Sequence, residues 1–283
     1  MQLVDVKNVS KTYQSKLAVN NLSFNLKSGQ VLGLLGHNGA GKSSLINALL
    51  GAKSYQGNIS ICGLDPVKQR AKLMQHLGYI SDVDVLPKWM TVKQILRYTS
   101  GVQPNFDLMK AQQLIASTDI QQNSKIDALS KGMKVQLHLA LTIATDTKVL
   151  ILDEPTLGLD LIYRDTFYRH LVEWMHDGDR TLIIASHEVN EIEHLLTDVL
   201  ILKQGNCIAQ GPIDDVLQQY TIVEATHAFS EQLETLKPLS SQPGLGSNKW
   251  LIRAEYQQQA KEFGDISSPT LQDLFIALQK ENS

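Results

Sequence analysis

Cysteine is nearly absent from this chain. The two that occur, Cys62 and Cys207, are far apart and have no metal-ligand spacing around them. A disulfide framework and a cysteine-based zinc site are therefore excluded, and both read as ordinary thiols in a reducing compartment. An excess of charge is also missing. The formal net charge is −3, which removes any whole-chain electrostatic case for nucleic acid. No apolar run approaches the roughly 18 residues that a membrane-spanning helix requires. The opening Met1-Gln2-Leu3-Val4-Asp5 lacks the make-up of a signal peptide. Neither an internal repeat nor a heptad array is apparent. What is present is ample apolar material: 43% hydrophobic in 283 residues suits one large domain, or one domain with an accessory piece.

Residues 33–44 read Gly-Leu-Leu-Gly-His-Asn-Gly-Ala-Gly-Lys-Ser-Ser. Gly36 to Ser43 fit G-x-x-x-x-G-K-[ST], a phosphate-binding loop. The apolar run Val31–Leu35 predicts a buried strand before it, and Lys42–Leu50 predicts a helix after it. Gly36, Gly39 and Gly41, with His37, Asn38 and Ala40 between them, let the backbone curl so that its N–H groups converge on an anion. The helix start at Ser43 and Ser44 adds a partial positive charge. Lys42 can reach the β and γ phosphates, and the Ser43 hydroxyl can ligate Mg²⁺.

The remaining chain alternates in character. Residues 3–30 predict paired strands, with Leu22, Phe24 and Leu26 alternating against polar neighbours. Tyr13, between the first two strands, is either a strand aromatic facing solvent or a platform for adenine. Residues 57–63 and 77–80 predict short strands. From about 83 to 145 the chain predicts helices, one capped by Thr91, one following Asn105 and one beginning at Ser130. From 148 on, Val149–Leu152, Thr181–Ala185 and Val199–Leu202 predict strands buried on both faces. Helices separate them, one with Phe167, Leu171, Val172 and Trp174 on its apolar side, another marked by Val189, Ile192 and Leu196. Residues 240–247 predict a loop, Trp250–Ile252 a strand, and 270–280 a final amphipathic helix.

Two strand ends carry candidate chemistry. Val149–Leu152 delivers adjacent carboxylates that leave the strand in different directions. Asp153 is placed to hold Mg²⁺ and Glu154 to polarise an attacking water. His187 follows the next buried strand at its carboxyl end, where open α/β sheets bind ligands, and can contact a γ-phosphate.

Leu129-Ser130-Lys131-Gly132-Met133 opens the third helix of the helical block, and Thr156-Leu157-Gly158-Leu159-Asp160 follows the acidic pair. With these the chain resembles the ATPase subunit of an ATP-binding cassette (ABC) transporter over about residues 1–217. It is most like a bacterial export-type branch with a Leu-Ser-Lys-Gly-Met signature in place of the usual Leu-Ser-Gly-Gly-Gln. The resemblance implies an α/β P-loop NTPase fold: a RecA-like core, an N-terminal antiparallel β subdomain and an α-helical subdomain at about 83–145. The cassette would occupy 1–219 and an accessory region 220–283. It implies ATP and Mg²⁺ as cofactors, and a second ATPase subunit placed head to tail. ATP would then lie between the phosphate loop of one chain and Ser130, Lys131 and Gly132 of the other. It further implies Asp160 in the D-loop, Tyr13 on adenine, and Leu86, Pro87, Trp89 and Met90 near a groove for a membrane permease. The protein is expected in the cytoplasm, held to the inner membrane face through that permease. Asp82 stands where the family usually has Gln, and a water-bridged contact to Mg²⁺ is expected of it. The alternative is a soluble ABC ATPase uncoupled from transport. A GTPase is disfavoured because Asn248-Lys249 is followed by Trp250 and Leu251.

Overall fold

The structure, a computed structural model, describes residues 1–14, 16–81, 85–176 and 178–280. In chain order its strands are β1 (Gln2–Tyr13), β2 (Lys16–Lys27), β3 (Val31–Leu35), β4 (Gln56–Ile61), β5 (Leu77–Ser81), β6 (Val149–Asp153), β7 (Thr181–Ser186), β8 (Asp198–Lys203), β9 (Asn206–Pro212), β10 (Tyr220–Thr226), β11 (Ser240–Pro243), β12 (Ser247–Arg253) and β13 (Asp265–Ser267). The helices are α1 (Lys42–Leu49), α2 (Arg70–Leu73), α3 (Val92–Val102), α4 (Leu108–Ala116), α5 (Lys131–Ile143), α6 (Leu161–His176), α7 (Val189–Ile192), α8 (Ile213–Leu217), α9 (Ser230–Thr235), α10 (Gln257–Ala260) and α11 (Leu271–Lys280). The chain forms two compact units: Met1–Val31 with Ser43–Ala185, and Leu32–Lys42 with Ser186–Ser283. The 219/220 boundary expected from sequence falls inside the second unit, at the start of β10.

In the first unit, β2, β1 and β4 make an antiparallel sheet in that order, with Val6 opposite both Phe24 and Ile59. Its buried face is Val4, Val6, Val9, Leu22, Leu26, Ile59 and Ile61, the apolar half of the alternation. Strands β5, β6 and β7 run parallel, with Ile151 opposite Tyr79 and Ile183. Val149 to Leu152 are wholly buried, as continuous apolar runs in parallel strands require.

Helices α3, α4 and α5 share a separate core that includes Val92, Ile95, Leu96, Ala111, Ile115 and Leu137. Each begins at a residue suited to that end. Thr91 and Gln94 form a reciprocal capping box, Asp107 accepts from Lys110 N–H, and Ser130 from Met133 N–H. One side chain departs from expectation: Val172 is exposed on α6, while Phe167, Leu171 and Trp174 are buried. The helix turns Tyr168 and His170 inward instead.

In the second unit, β3 pairs parallel with β8, and β8 antiparallel with β9. Beyond them, β11-β12-β10-β13 form an all-antiparallel sheet. Chain order strand–helix–strand–strand–helix–strand with this spatial order is the split βαβ arrangement of ferredoxin-like folds. The stretch expected as a loop at 240–247 contains its edge strand β11, whose short polar run Ser-Ser-Gln-Pro carries no apolar alternation.

Within this sheet burial recurs at a fixed spacing, with no repeat of residue identity. Its core pairs off at one constant spacing: Val223 with Trp250, Ala225 with Ile252, Leu233 with Ala260, Leu236 with Phe263. Each half is a strand, a 3₁₀ turn and a short helix: β10, His227–Phe229 and α9, then β12, Ala254–Tyr256 and α10. Burial repeats although residue identities do not.

Candidate functional site

The phosphate loop lies wholly in the second unit up to Lys42. Gly36 sits where β3 ends. A Cβ there would lie 2.8 Å from Ala40 Cβ and 2.8 Å from the Leu202 carbonyl oxygen, so any side chain would push the loop off the end of β8. Gly41 has φ +114°, in the left-handed region that disfavours other residues. Ala40 N–H donates to His37 O at 3.0 Å, and Gly205 N–H to Ala40 O at 2.9 Å, which fixes the curl from Gly36 through His37, Asn38, Gly39 and Ala40. Lys42 is buried, with its ammonium donating to Gly36 O at 2.6 Å. Lys42, Ser43 and Ser44 open α1, the helix end at which backbone N–H groups favour an anion.

Within the first unit, two side-chain oxygens come together. Ser43 Oγ donates to Asp153 Oδ2 at 3.3 Å, bringing two residues distant in sequence to one point at the end of β6. Glu154 has φ +50°, uncommon for a residue with a side chain, and its N–H donates to Ala185 O at 3.0 Å. Backbone held in this region costs of order 1–3 kcal/mol and is typical of functional positions. Here it turns the chain off the end of β6 at Asp153. Among the described residues no group of three or more His, Cys, Asp or Glu is gathered as a metal site. A Ser–Asp oxygen pair suits Mg²⁺, which takes few protein ligands and keeps water and phosphate oxygens.

Ser130 is exposed and caps α5, and Lys131 Nζ donates to Leu157 O at 2.5 Å. A Cβ on Gly132 would meet the Tyr163 ring at 2.7 Å, so the glycine permits α5 to start directly against α6. Asp160 Oδ1 accepts from Ile162 and Tyr163 N–H at 3.1 and 3.0 Å, holding the first turn of α6. Ser130, Lys131, Gly132 and the 156–160 loop are thus one connected patch. Sequence reasoning identified its parts without seeing that Leu157 and Tyr163 join them. A small residue in the first turn of α5 was the available signal.

The other expected residues fall as follows. Tyr13 is 40% exposed, with the Lys11 ammonium 4.7 Å from its ring centre, a partner not foreseen from sequence. His187 follows β7, its Nε2 3.9 Å from Glu188 Oε1, beyond hydrogen-bond distance. Trp89 is 71% exposed and so is not part of the helical core, whereas Leu86 and Met90 pack against that core. Asp82 lies outside the described residues. Burial pushes the Cys62 and Cys207 thiols above their ordinary pKa, in line with unreactive structural thiols.

A profile of the ABC transporter family matches residues 19–157. The chain is 38% identical over 215 residues to Nod factor export ATP-binding protein I of Burkholderia orbicola (strain AU 1054), covering 74% of this chain and 70% of the relative. It is 33% identical over 211 residues to the uncharacterized ABC transporter ATP-binding protein YhcH of Bacillus subtilis (strain 168), covering 73% and 68%. A solved ATP-binding subunit of an ABC transporter superposes with a TM-score of 0.72 at 25% identity, over 77% of this chain and 92% of that one. Another, cbiO1 from Clostridium perfringens, part of the ABC transporter complex cbiONQ, gives 0.66 at 25% identity, over 83% and 94%. With the α/β P-loop fold, the glycine cradle and the acidic strand end in place, this chain belongs to the ATP-binding proteins of ABC transporters, the family's ATPase subunits.

Proposed function

We propose that this ATPase works on Mg²⁺-ATP held by residues 36–44 of one subunit and by Ser130, Lys131 and Gly132 of a second, and that the cycle drives export through a separate membrane permease. The observation that carries the reading is the Ser43–Asp153 contact immediately after the glycine cradle. It sets a neutral and an anionic oxygen side by side at the start of a helix whose N–H groups favour phosphate. These two residues would hold Mg²⁺, which supplies charge neutralisation at the phosphate oxygens. Lys42 pairs the β and γ phosphates, Glu154 orients and deprotonates the attacking water, and His187 contacts the γ-phosphate. Tyr13 stacks on adenine. Asp82 contributes through water, and Asp160 acts through the loop it caps.

The capped start of α5 offers N–H groups and a positive dipole end to a phosphate across the subunit interface. Lys131 is already spent on Leu157 O, so it ties the signature segment to the 156–160 loop and adds charge there. Relatives named for export support the direction of transport. No described helix is long and apolar enough to cross a membrane, so attachment to the cytoplasmic face runs through the permease. The exposed Trp89 is the anchor offered to it.

Purification in mild detergent tests this reading. A membrane protein with several long apolar spans should co-purify, and Trp89→Ala should lose it without a change in Tm. Recovery of the chain with no membrane partner, at full ATPase activity, would favour the soluble alternative.

A further inference from the structure

The last helix, α11, belongs to the same compact unit as residues 32–42 of the phosphate loop. The Phe275 ring, 4% exposed, lies 5.6 Å from the His37 imidazole, centroid to centroid, with the planes inclined at 49°. That range and tilt are those of attractive aromatic pairs. One turn further along, the buried Gln279 side chain donates from Nε2 to Leu202 O at 3.0 Å. The Leu202 carbonyl is the same group that leaves no room for a side chain at Gly36. Helix α11 therefore meets the loop twice, once at His37 and once through the end of β8 on which Gly36 rests.

The helix is anchored at both ends. Thr270 and Asp273 cap one another, and Leu271 N–H donates to Glu193 Oε1 at 3.0 Å. At the other end, Lys203 Nζ donates to Gln279 O at 2.7 Å, satisfying a terminal carbonyl with a cation. The rotation of α11 is fixed by these ties, and with it the position of the Phe275 ring.

We propose that α11 is a positioning element of the nucleotide site: Phe275, through His37, and Gln279, through Leu202 and Gly36, hold the loop in its phosphate-binding curl. This rests on reading Gly36–Ser43 as the phosphate cradle. The region beyond the cassette is then a contributor to ATP affinity and not an independent appendage. The chemical step, carried by Asp153 and Glu154, is left alone.

The test is a double-mutant cycle of His37→Ala and Phe275→Leu in the full chain, read by ATP affinity and by the KM and kcat of hydrolysis. Phe275→Leu keeps the volume and loses the ring, and Phe275→Tyr restores it. Phe275→Leu should raise the ATP Kd and KM about two- to tenfold at unchanged kcat. Phe275→Tyr should recover wild-type values, and His37→Ala should add little on top of Phe275→Leu. Leu271→Ala, a buried truncation in the same helix, should lower Tm and leave the ATP KM in place. Equal KM values for Phe275→Leu and wild type, or fully additive effects, would overturn the proposal. Lys42→Ala, run in parallel, reads the cradle itself: retained affinity there would refute the cradle assignment, whatever Phe275 does.

Discussion

Strand β6 and the small sheet β11-β12-β10-β13 are both built on buried apolar residues, yet they record their structure in different ways. Four successive residues of β6, Val149 to Leu152, are buried on both faces, so the run must be unbroken and apolar. The first polar residues after it, Asp153 and Glu154, are then conspicuous, and they are the pair to which the proposed function gives the chemistry. The small sheet is buried on both faces only over three residues of each central strand, Thr221 to Val223 and Trp250 to Ile252. Its core comes from single residues spread over two halves, with helices of six and four residues between them. Such helices show no 3.6-residue period, and the halves share burial but not identity. The lesson is that a continuous buried run announces function at its end. A small sheet built from short pieces announces only scattered apolar residues.

If the two cores are independent, they can be broken separately. The largest stability losses are expected from Leu150→Ala in β6 and Trp250→Ala in β12, each about 2–5 kcal/mol. Hydrogen exchange should separate them, with Leu150→Ala exposing the amides of β5–β7 and Trp250→Ala those of β10–β13. Loss of protection in β6 on Trp250→Ala would show a single cooperative core. A smaller effect sharpens the repeat. Ala260 is the counterpart of Leu233, and its half of the core already holds Trp250. Restoring the larger residue with Ala260→Leu should overfill that core and cost about 1–3 kcal/mol by thermal or urea unfolding. A neutral result would mean the two halves do not share a filled interior.

Much of the first unit could be read directly from sequence. Thr91 and Ser130 announce two helix starts because capping is local chemistry, while the helix expected after Asn105 is capped two residues later by Asp107. Thr91→Ala should accordingly cost about 0.5–2 kcal/mol, measured by chemical denaturation. The Ser43–Asp153 contact was implied by motif, although nothing local to either residue carries the distance between them. The left-handed backbone at Glu154, the Lys131–Leu157 tie and the His37–Phe275 contact were not legible. Each joins residues through tertiary placement, and no periodicity or spacing encodes it. Edge strand β11 reads as a loop in the sequence because Ser240–Pro243 lacks an apolar face, as an exposed edge can.

The smallest effect expected is a pH dependence at His170 in α6. Burial lowers its pKa from the ordinary 6.5, a nearby Glu173 opposing and Arg169 adding slightly. The folded protein thus prefers the neutral imidazole. The stability this lends is present above the unfolded pKa and is lost as pH falls through the lower folded value. Denaturation midpoints compared between pH 7 and pH 5 should show a fall that His170→Gln reduces.

The most direct measurement of the central claim, that the end of β6 carries the hydrolytic chemistry, is ATP binding and turnover in Glu154→Gln. The amide keeps the size of the side chain and removes the base. ATP affinity should stay near that of the parent chain while turnover falls by about 10²–10⁴. Turnover close to the parent rate, with ATP bound equally well, would contradict the account.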